Sequence, residues 1–320
     1  MGAAGLGSRG IIGKFFAALE VYTGVSWIDL VSILFDSDQE SETYKWLGQS
    51  PALREWIGGR HAKGFRESGI TIFNKKFEAT MDLPCDWMRR DKTGQIDVRI
   101  AELAQRAVGH YGKLLSAIIL AGTTGLCYDG VEFFAAAASP HEEGESGEQV
   151  NHLTKTEVPA LEVVLETAPT AAEAIKAILG VIAHMLGIKD DQAEPMNSEA
   201  RNFLIMTSVK LWPYMVHAVM GEPSANESNV LKELKRQGFI VSVVANPRLD
   251  YTKQFVTFRT DAPAKSLIRQ EEEKLSVGAK AEGSEYEFDN DAHQYGIKAI
   301  RNVGYGYWQY ASHATLITKV

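Results

Sequence analysis

Cysteine is scarce in this 320-residue chain, which holds only Cys85 and Cys127. Two thiols cannot form a disulfide framework, and neither belongs to a CxxC pair or a Cys/His cluster of zinc spacing. A reducing compartment is the simplest setting. Long apolar runs are also missing: Leu114 to Leu120, the longest uncharged apolar stretch, is far shorter than the ~18 residues a bilayer span requires. No membrane segment is expected. The apolar run Phe15-Phe16-Ala17-Ala18-Leu19 stops at Glu20, too early for a secretory leader. Leu6 stands where a myristoylation signal needs Ser or Thr. Positive charge is in deficit, with 33 Lys and Arg against 41 Asp and Glu and a net charge of −8. The chain as a whole therefore lacks the basic footprint of a protein that grips nucleic acid phosphates.

Catalytic motifs are absent in the same way. There is no Walker-type phosphate loop. Gly304-Tyr305-Gly306 is too short for a dinucleotide fingerprint and sits in a strand, so it reads as close backbone packing. Gly144-Glu145-Ser146-Gly147 lacks the nucleophile-elbow spacing. Asp289-Asn290-Asp291 begins like a calcium loop, but Gln294 replaces the required Gly and Ile300 the bidentate Glu, which leaves an acidic turn. The eight histidines are scattered singly, and His184 and His217 read as packing or surface residues. The sequence assigns no catalytic residue, no metal ligand and no cofactor.

What is present is ordinary globular composition, 45% hydrophobic and 23% charged, in a chain long enough for two domains or one elaborated domain. Ile11, Ile12, Phe15, Phe16 and Leu19 recur at helical spacing behind a Gly/Ala/Ser-rich start, as in an arm carrying a sticky helix. Between Lys75 and Leu83 apolar and polar residues alternate as in a strand wet on one face. With Gly69–Phe73 ahead of it and Asn74 between, a β-hairpin or long two-stranded loop is expected. Arg60, Lys63, Arg66, Lys75 and Lys76 face Glu67 alone over that stretch, a basic protrusion suited to an acidic partner. From Asp97 to Leu120 the periodicity predicts a long helical rod, with Gly109 and Gly112 predicting a bend or close packing. Residues 139–151 read as an acidic surface loop. Thr170 with Glu173 marks a capped helix, and strands near Phe203 and Phe239 around a helix at 209–220 indicate an α/β layer. Short strands are then expected at Gln254–Arg259, Ser266–Gln270, Leu275–Ala281 and finally Ile297–Leu316.

These segments resemble, in order, the Mu-like major head subunit family of phage capsid proteins. The resemblance rests on Tyr44-Lys45-Trp46-Leu47-Gly48, on Leu53-Arg54-Glu55-Trp56-Ile57-Gly58 and on Phe77-Glu78-Ala79-Thr80. It continues through Cys127-Tyr128-Asp129-Gly130 with Phe133-Phe134, through Lys265 to Glu271, and through Gly304-Tyr305-Gly306-Tyr307-Trp308-Gln309. Residues 135–250 match by layout more than by motif. The resemblance implies an α+β chain of the Hong Kong 97-type capsid fold. It implies an N-arm at 1–57, an E-loop at 58–86, and a P-domain at 87–159 with a spine helix at 96–121. An A-domain would follow at 160–263, and returning P-domain strands at 264–320.

The implied function is structural, that of a non-enzymatic major head protein of a tailed phage or prophage. Hexamers and pentamers would build an icosahedral shell around double-stranded DNA bound without sequence specificity. Portal, scaffold and maturation protease are implied partners, with a decoration protein as a further candidate. Assembly would occur in the host cytoplasm and the product reside in the virion. The E-loop residues Arg60, Lys63, Arg66, Phe73, Lys75, Lys76, Phe77 and Met81 are then expected to lie on a neighbouring subunit. Ile11, Ile12, Phe15, Phe16 and Leu19 of the arm would clamp a neighbour likewise. Glu142, Glu143, Glu145, Glu271, Glu272 and Glu273 are the acidic acceptor candidates. An encapsulin-like nanocompartment shell of the same fold is the runner-up, and a soluble α/β enzyme the third reading.

Overall fold

The computed structural model describes residues 7–22, 27–44, 69–91, 93–221 and 230–319. Among these, α1 (Ser8–Tyr22) and α2 (Trp27–Val31) lead into β1 (Ser32–Asp36) and β2 (Ser41–Tyr44). β3 (Ile70–Phe73) and β4 (Lys75–Pro84) are followed by α3 (Cys85–Arg90), α4 (Gln95–Val108) and α5 (His110–Leu120). Short strands β5 (His141–Glu142), β6 (Glu148–Gln149), β7 (His152–Leu153) and β8 (Glu162–Val163) precede α6 (Ala171–Leu186). Next come β9 (Asn202–Thr207), α7 (Trp212–Met220), α8 (Val230–Arg236), β10 (Ile240–Ala245) and β11 (Gln254–Arg259). The chain closes through β12 (Leu267–Lys280), α9 (Glu285–Asn290), β13 (Ala292–Tyr305), β14 (Ala311–Thr315) and β15 (Ile317–Thr318).

Two sheets organise these elements. The first has the order β1-β12-β13-β4, with β1 parallel to β12 and the other pairs antiparallel. Along β13, residues from Tyr295 to Val303 alternate between buried and half-buried, the period of a strand covered on one face. Its cover is α4, whose Ile96, Ile100, Ala104 and Ala107 fall on one helical stripe. Asp91 starts that helix: its carboxylate accepts the backbone N–H groups of Ile96 (3.0 Å) and Gln95 (3.2 Å), and those bonds lower its pKa. The expected rod bends where Gly109 separates α4 from α5, and α5 turns Tyr111, Leu115 and Ile119 into a second core.

The second sheet has the order β10-β9-β11-β14-β7. Helix α6 lies against it, burying Ala174, Ala177, Ile178, Val181, Ile182 and Met185 with Phe203, Ile205 and Phe255. Thr170 and Glu173 form the expected reciprocal cap on α6.

A single chain path joins the sheets. β13 ends at Tyr305, passes Gly306 and a 3-10 turn at Trp308–Tyr310, and continues as β14 in the second sheet. Trp308 is 0% exposed, and the His141 ring stacks on its indole at 3.9 Å. Around it, buried polar groups find partners. The Glu143 carboxylate accepts from Trp308 Nε1 (3.1 Å), Gln309 Nε2 (3.2 Å) and the Tyr128 hydroxyl. Asn151 Nδ2 donates to the carbonyls of Phe133 (2.8 Å) and Ala311 (3.1 Å), and Asn197 Nδ2 to those of Met185 and Gln309 (both 2.8 Å). Gly304 and Gly306 are where the backbones approach: a Cβ on Gly304 would come within 2.4 Å of Ile72 Cδ1, and one on Gly306 within 2.6 Å of the Lys265 carbonyl oxygen.

The structure corrects several expectations. The hairpin turning at Asn74 does not form: β3 pairs with β2 and β4 with β13, so the chain changes sheets at this residue. The Asn74 amide holds the crossing, donating to the Gln39 carbonyl (2.8 Å) and accepting from Gln270 Nε2 (2.9 Å). The acidic segment 139–151 is not wholly surface, since His141 and Glu143 are buried against Trp308. The segments near 266–270 and 275–281 are one irregular strand, β12, with register shifts after Glu271 and Glu273. The helix expected over 209–220 starts at Trp212, with Pro213 in its first turn.

Gly306→Ala is expected to cost about 1–3 kcal/mol in urea unfolding, because the clash is with backbone. Gly278→Ala, with open space around it, should stay within about 0.5 kcal/mol. A second expectation concerns pH. Burial, with the neighbouring His152 adding to it, lowers the His313 pKa to about 3. Between the ordinary value and 3 the unfolded chain binds a proton that the folded chain refuses, so stability falls with falling pH over that window. The loss attributable to His313 between pH 7 and 5 is about 2 kcal/mol. The melting temperature of a His313→Gln variant should depend less steeply on pH over that interval.

Candidate assembly surfaces

Of the basic protrusion, Arg60, Lys63 and Arg66 lie outside the described residues, as do the motifs around Trp46 and Trp56. Lys75 and Lys76 begin β4, an edge strand among the described residues, and both are exposed. Phe73, just before the sheet change, is 61% exposed, and its carbonyl oxygen accepts from Asn302 Nδ2 at 2.7 Å. The antiparallel register Ser41↔Phe73 to Tyr44↔Ile70 brings the two chain ends flanking 45–69 side by side. Phe77 and Met81 do not share this exposure. Phe77 packs its ring on His110 (4.4 Å) and Met81 joins the core beneath α1, because alternate residues of β4 point at the spine.

The arm helix is largely satisfied within its own chain. Ile11 and Phe15 are 2% and 3% exposed, packed with Ile96, Ile100 and Ile297. Lys14 Nζ meets the Asp97 carboxylate at 2.7 Å, and Ser8 caps the docking by donating to Glu282 and meeting Tyr295 Oη at 3.0 Å. The hydrogen bonds from Ser8 lower the Glu282 pKa to about 2. The expectation that Ile11 and Phe15 clamp a neighbour is thereby corrected. Ile12 and Leu19 are half-buried, and Phe16 alone of the five is exposed.

The acidic candidates divide similarly. Glu142, Glu145 and Glu272 are exposed. Glu143 is internal, held by three donors, and is withdrawn as a surface acceptor. Glu271 faces the Arg301 guanidinium at 3.8 Å and the Tyr111 hydroxyl at 3.3 Å. Glu273 pairs with Lys298 at 2.6 Å, which lowers its pKa.

Other features escaped the sequence reading. Phe288 (91% exposed) and Trp87 present large apolar surfaces on α9 and α3 at one end of the first sheet, and Met220 does so at the end of α7. A large apolar residue in a polar segment, as in Glu285-Tyr286-Glu287-Phe288-Asp289, was the available signal. A groove of 810 Å³ between β4 and the α4–α5 bend is lined by Arg106, Lys113, Arg248 and Arg301. Burial, then the charges of Arg301 and Lys113, lower the pKa of His110 there to about 4. The fold also brings Cys85 beside Glu287 and His293, a proximity that sequence spacing could not reveal because Cys85 and Glu287 are 202 positions apart. Burial pushes up the pKa of the other thiol, Cys127, which suits a packing role.

The chain matches the family model described as Mu-like prophage major head subunit gpT over residues 9–168 and 230–319. It is 33% identical over 104 residues to the major capsid protein of Escherichia phage Mu, covering 32% of this chain and 34% of that protein. A Haemophilus influenzae protein, the Mu-like prophage FluMu major head subunit, is 34% identical over a stretch of the same length and shares. The matched stretch thus spans about a third of each curated relative. The structure of the bacteriophage JBD30 procapsid superimposes with a TM-score of 0.55 and 22% identity over 96% of this chain and 74% of that one. The fold is accordingly the α+β Hong Kong 97-type capsid fold. The family model covers the first sheet, the spine helices and the junction at Trp308 but not the segment holding α6, β9 and α7, and the chain belongs to the Mu-like prophage major head subunit family.

Proposed function

We propose that this chain is the major capsid subunit of a tailed double-stranded DNA phage or prophage, assembling through hexamers and pentamers into an icosahedral shell around the genome. The observation that carries the reading is the match to the head-subunit family along most of the chain, together with a fold shared with a procapsid protein. Portal, scaffold, maturation protease and decoration protein are proposed partners on the strength of that family, with assembly in the host cytoplasm. A net charge of −8 suits a wall that encloses DNA without gripping its phosphates.

On this reading the contacts come from side chains that the subunit leaves exposed. Lys75 and Lys76 on the β4 edge, and with them Arg60, Lys63 and Arg66 of the basic sequence stretch, meet carboxylates such as Glu142, Glu145 or Glu272 of a neighbour. One exposed ion pair contributes only ~0–1 kcal/mol. Apolar burial contributes more, about 1.5–3 kcal/mol for a fully covered aromatic such as Phe73. Repetition around the shell multiplies both. The N-arm, E-loop, P-domain and A-domain boundaries expected from the family are part of the same proposal.

The test is particle formation by the wild-type chain and a Lys75→Glu/Lys76→Glu variant, with and without scaffold. Light scattering and electron microscopy are expected to show shells or capsomer rings for the wild type. The variant should need roughly tenfold more subunit, about 1.4 kcal/mol, while melting at the wild-type temperature. A wild-type chain that stays monomeric or dimeric under both conditions sinks the function, and undiminished shells from the variant sink the role of these lysines.

A further inference from the structure

The end of the first sheet gathers three side chains of different chemistry. Cys85 is the first residue of α3, Glu287 sits in α9, and His293 is the second residue of β13. Cys85 Sγ lies 3.9 Å from Glu287 Oε1, His293 Nε2 lies 2.9 Å from the same oxygen, and all three atoms fall within 4.8 Å of one another. A tetrahedral zinc ion with bonds of ~2.0–2.3 Å holds its ligand atoms about 3.3–3.8 Å apart. The observed spacing brackets that range, so a shift of about an ångström closes the set around one ion.

The surroundings orient these donors. Glu287 Oε2 accepts the Gly283 N–H at 2.6 Å, which leaves Oε1 pointing at the other two groups. His293 Nδ1 meets Tyr295 Oη at 3.4 Å, and that oxygen meets Ser8 Oγ at 3.0 Å, so Nε2 is the nitrogen turned to the cluster. The backbone is held as well: the Cys85 N–H donates to the Asp291 carbonyl at 2.9 Å, and Leu83 pairs with His293 in the ladder. His293 is buried, whereas Cys85 and Glu287 are half-buried, which leaves solvent a way in.

We propose that Cys85, Glu287 and His293 form a binding site for one zinc-class divalent ion. A thiolate, a carboxylate and a neutral imidazole carry two negative charges, matching the ion, and they are the donor types that select it over magnesium or calcium. Binding releases the Cys85 thiol proton to solvent, with the fourth position taken by water. The ion would tie α3, α9 and β13 together at the tip of the β12–β13 hairpin. Through Tyr295 and Ser8 it would also steady the start of α1. The site is independent of the shell function, since it lies within one subunit.

The test is titration of the reduced, metal-free full-length chain with Co²⁺. One equivalent should give tetrahedral visible bands with thiolate-to-metal charge-transfer absorption, and Zn²⁺ should displace it. Cys85→Ser should abolish the charge-transfer band, His293→Gln and Glu287→Gln should each weaken binding at least tenfold, and Cys127→Ser should change neither. Circular dichroism checks that each variant is folded, and three separate ligand variants keep the test decisive if one is not. Absence of the band in the wild type, its survival in Cys85→Ser, or its loss in Cys127→Ser overturns the proposal.

Discussion

The passage of one chain segment from the first sheet to the second, from Tyr305 through Gly306 and the Trp308 turn into β14, constrains nearly everything around it. β13 holds the first sheet together by pairing with β12 on one side and β4 on the other, while β14 sits between β11 and β7. The turn between them leaves the regular ladder, so buried peptide groups near it need side-chain partners. Asn151 and Asn197 donate to the carbonyls of Ala311 and Gln309, Glu143 accepts from the side chains of Trp308 and Gln309, and the aromatic cluster of Phe133, Phe134, Tyr305 and Trp308 fills the remaining space. A buried carboxylate is tolerable there because three donors face it. Glycine at 304 and 306 follows from the close approach of Ile72 and of the 265–266 backbone.

Because that junction and the three hydrophobic clusters are closed within one chain, folding and the proposed assembly would draw on different residues. Ile11, Phe15 and Glu143 are internal, and Met81 is half-buried against the same core as the first two. Phe73, Lys75, Lys76, Phe16, Trp87 and Phe288 face outward. A subunit built this way can be stable before it meets a neighbour. It also retains exposed apolar side chains that a lone monomer would have little reason to keep.

The sequence made local features legible. The capping pair Thr170 and Glu173, the bend at Gly109, the alternation along β4 and the packing role of Gly304 and Gly306 all depend on residues a few positions apart or on one backbone constraint. Long-range facts were not legible. Asn74 reads as a hairpin turn because turn chemistry is local, whereas the partners of β3 and β4 lie at 41–44 and 292–301. Glu143 sits in a polar, glycine-bearing stretch that resembles solvent-facing loop, and only the return of Trp308 from the far end buries it. Ile11 and Phe15 look adhesive on their own; whether the surface they cover belongs to the same chain is a property of α4. The Cys85, Glu287 and His293 cluster is invisible for the same reason, its members being brought together by the β4–β13 register.

The separation of folding from assembly residues is tested most directly by hydrogen exchange with mass spectrometry on the free subunit and on assembled particles. The account predicts that peptides containing Glu143, Asn151 and Trp308 exchange slowly and alike in both states, while those spanning Phe73–Lys76 gain protection only in particles. Rapid exchange around Trp308 in the free subunit, or no gain at Phe73–Lys76 on assembly, would contradict it.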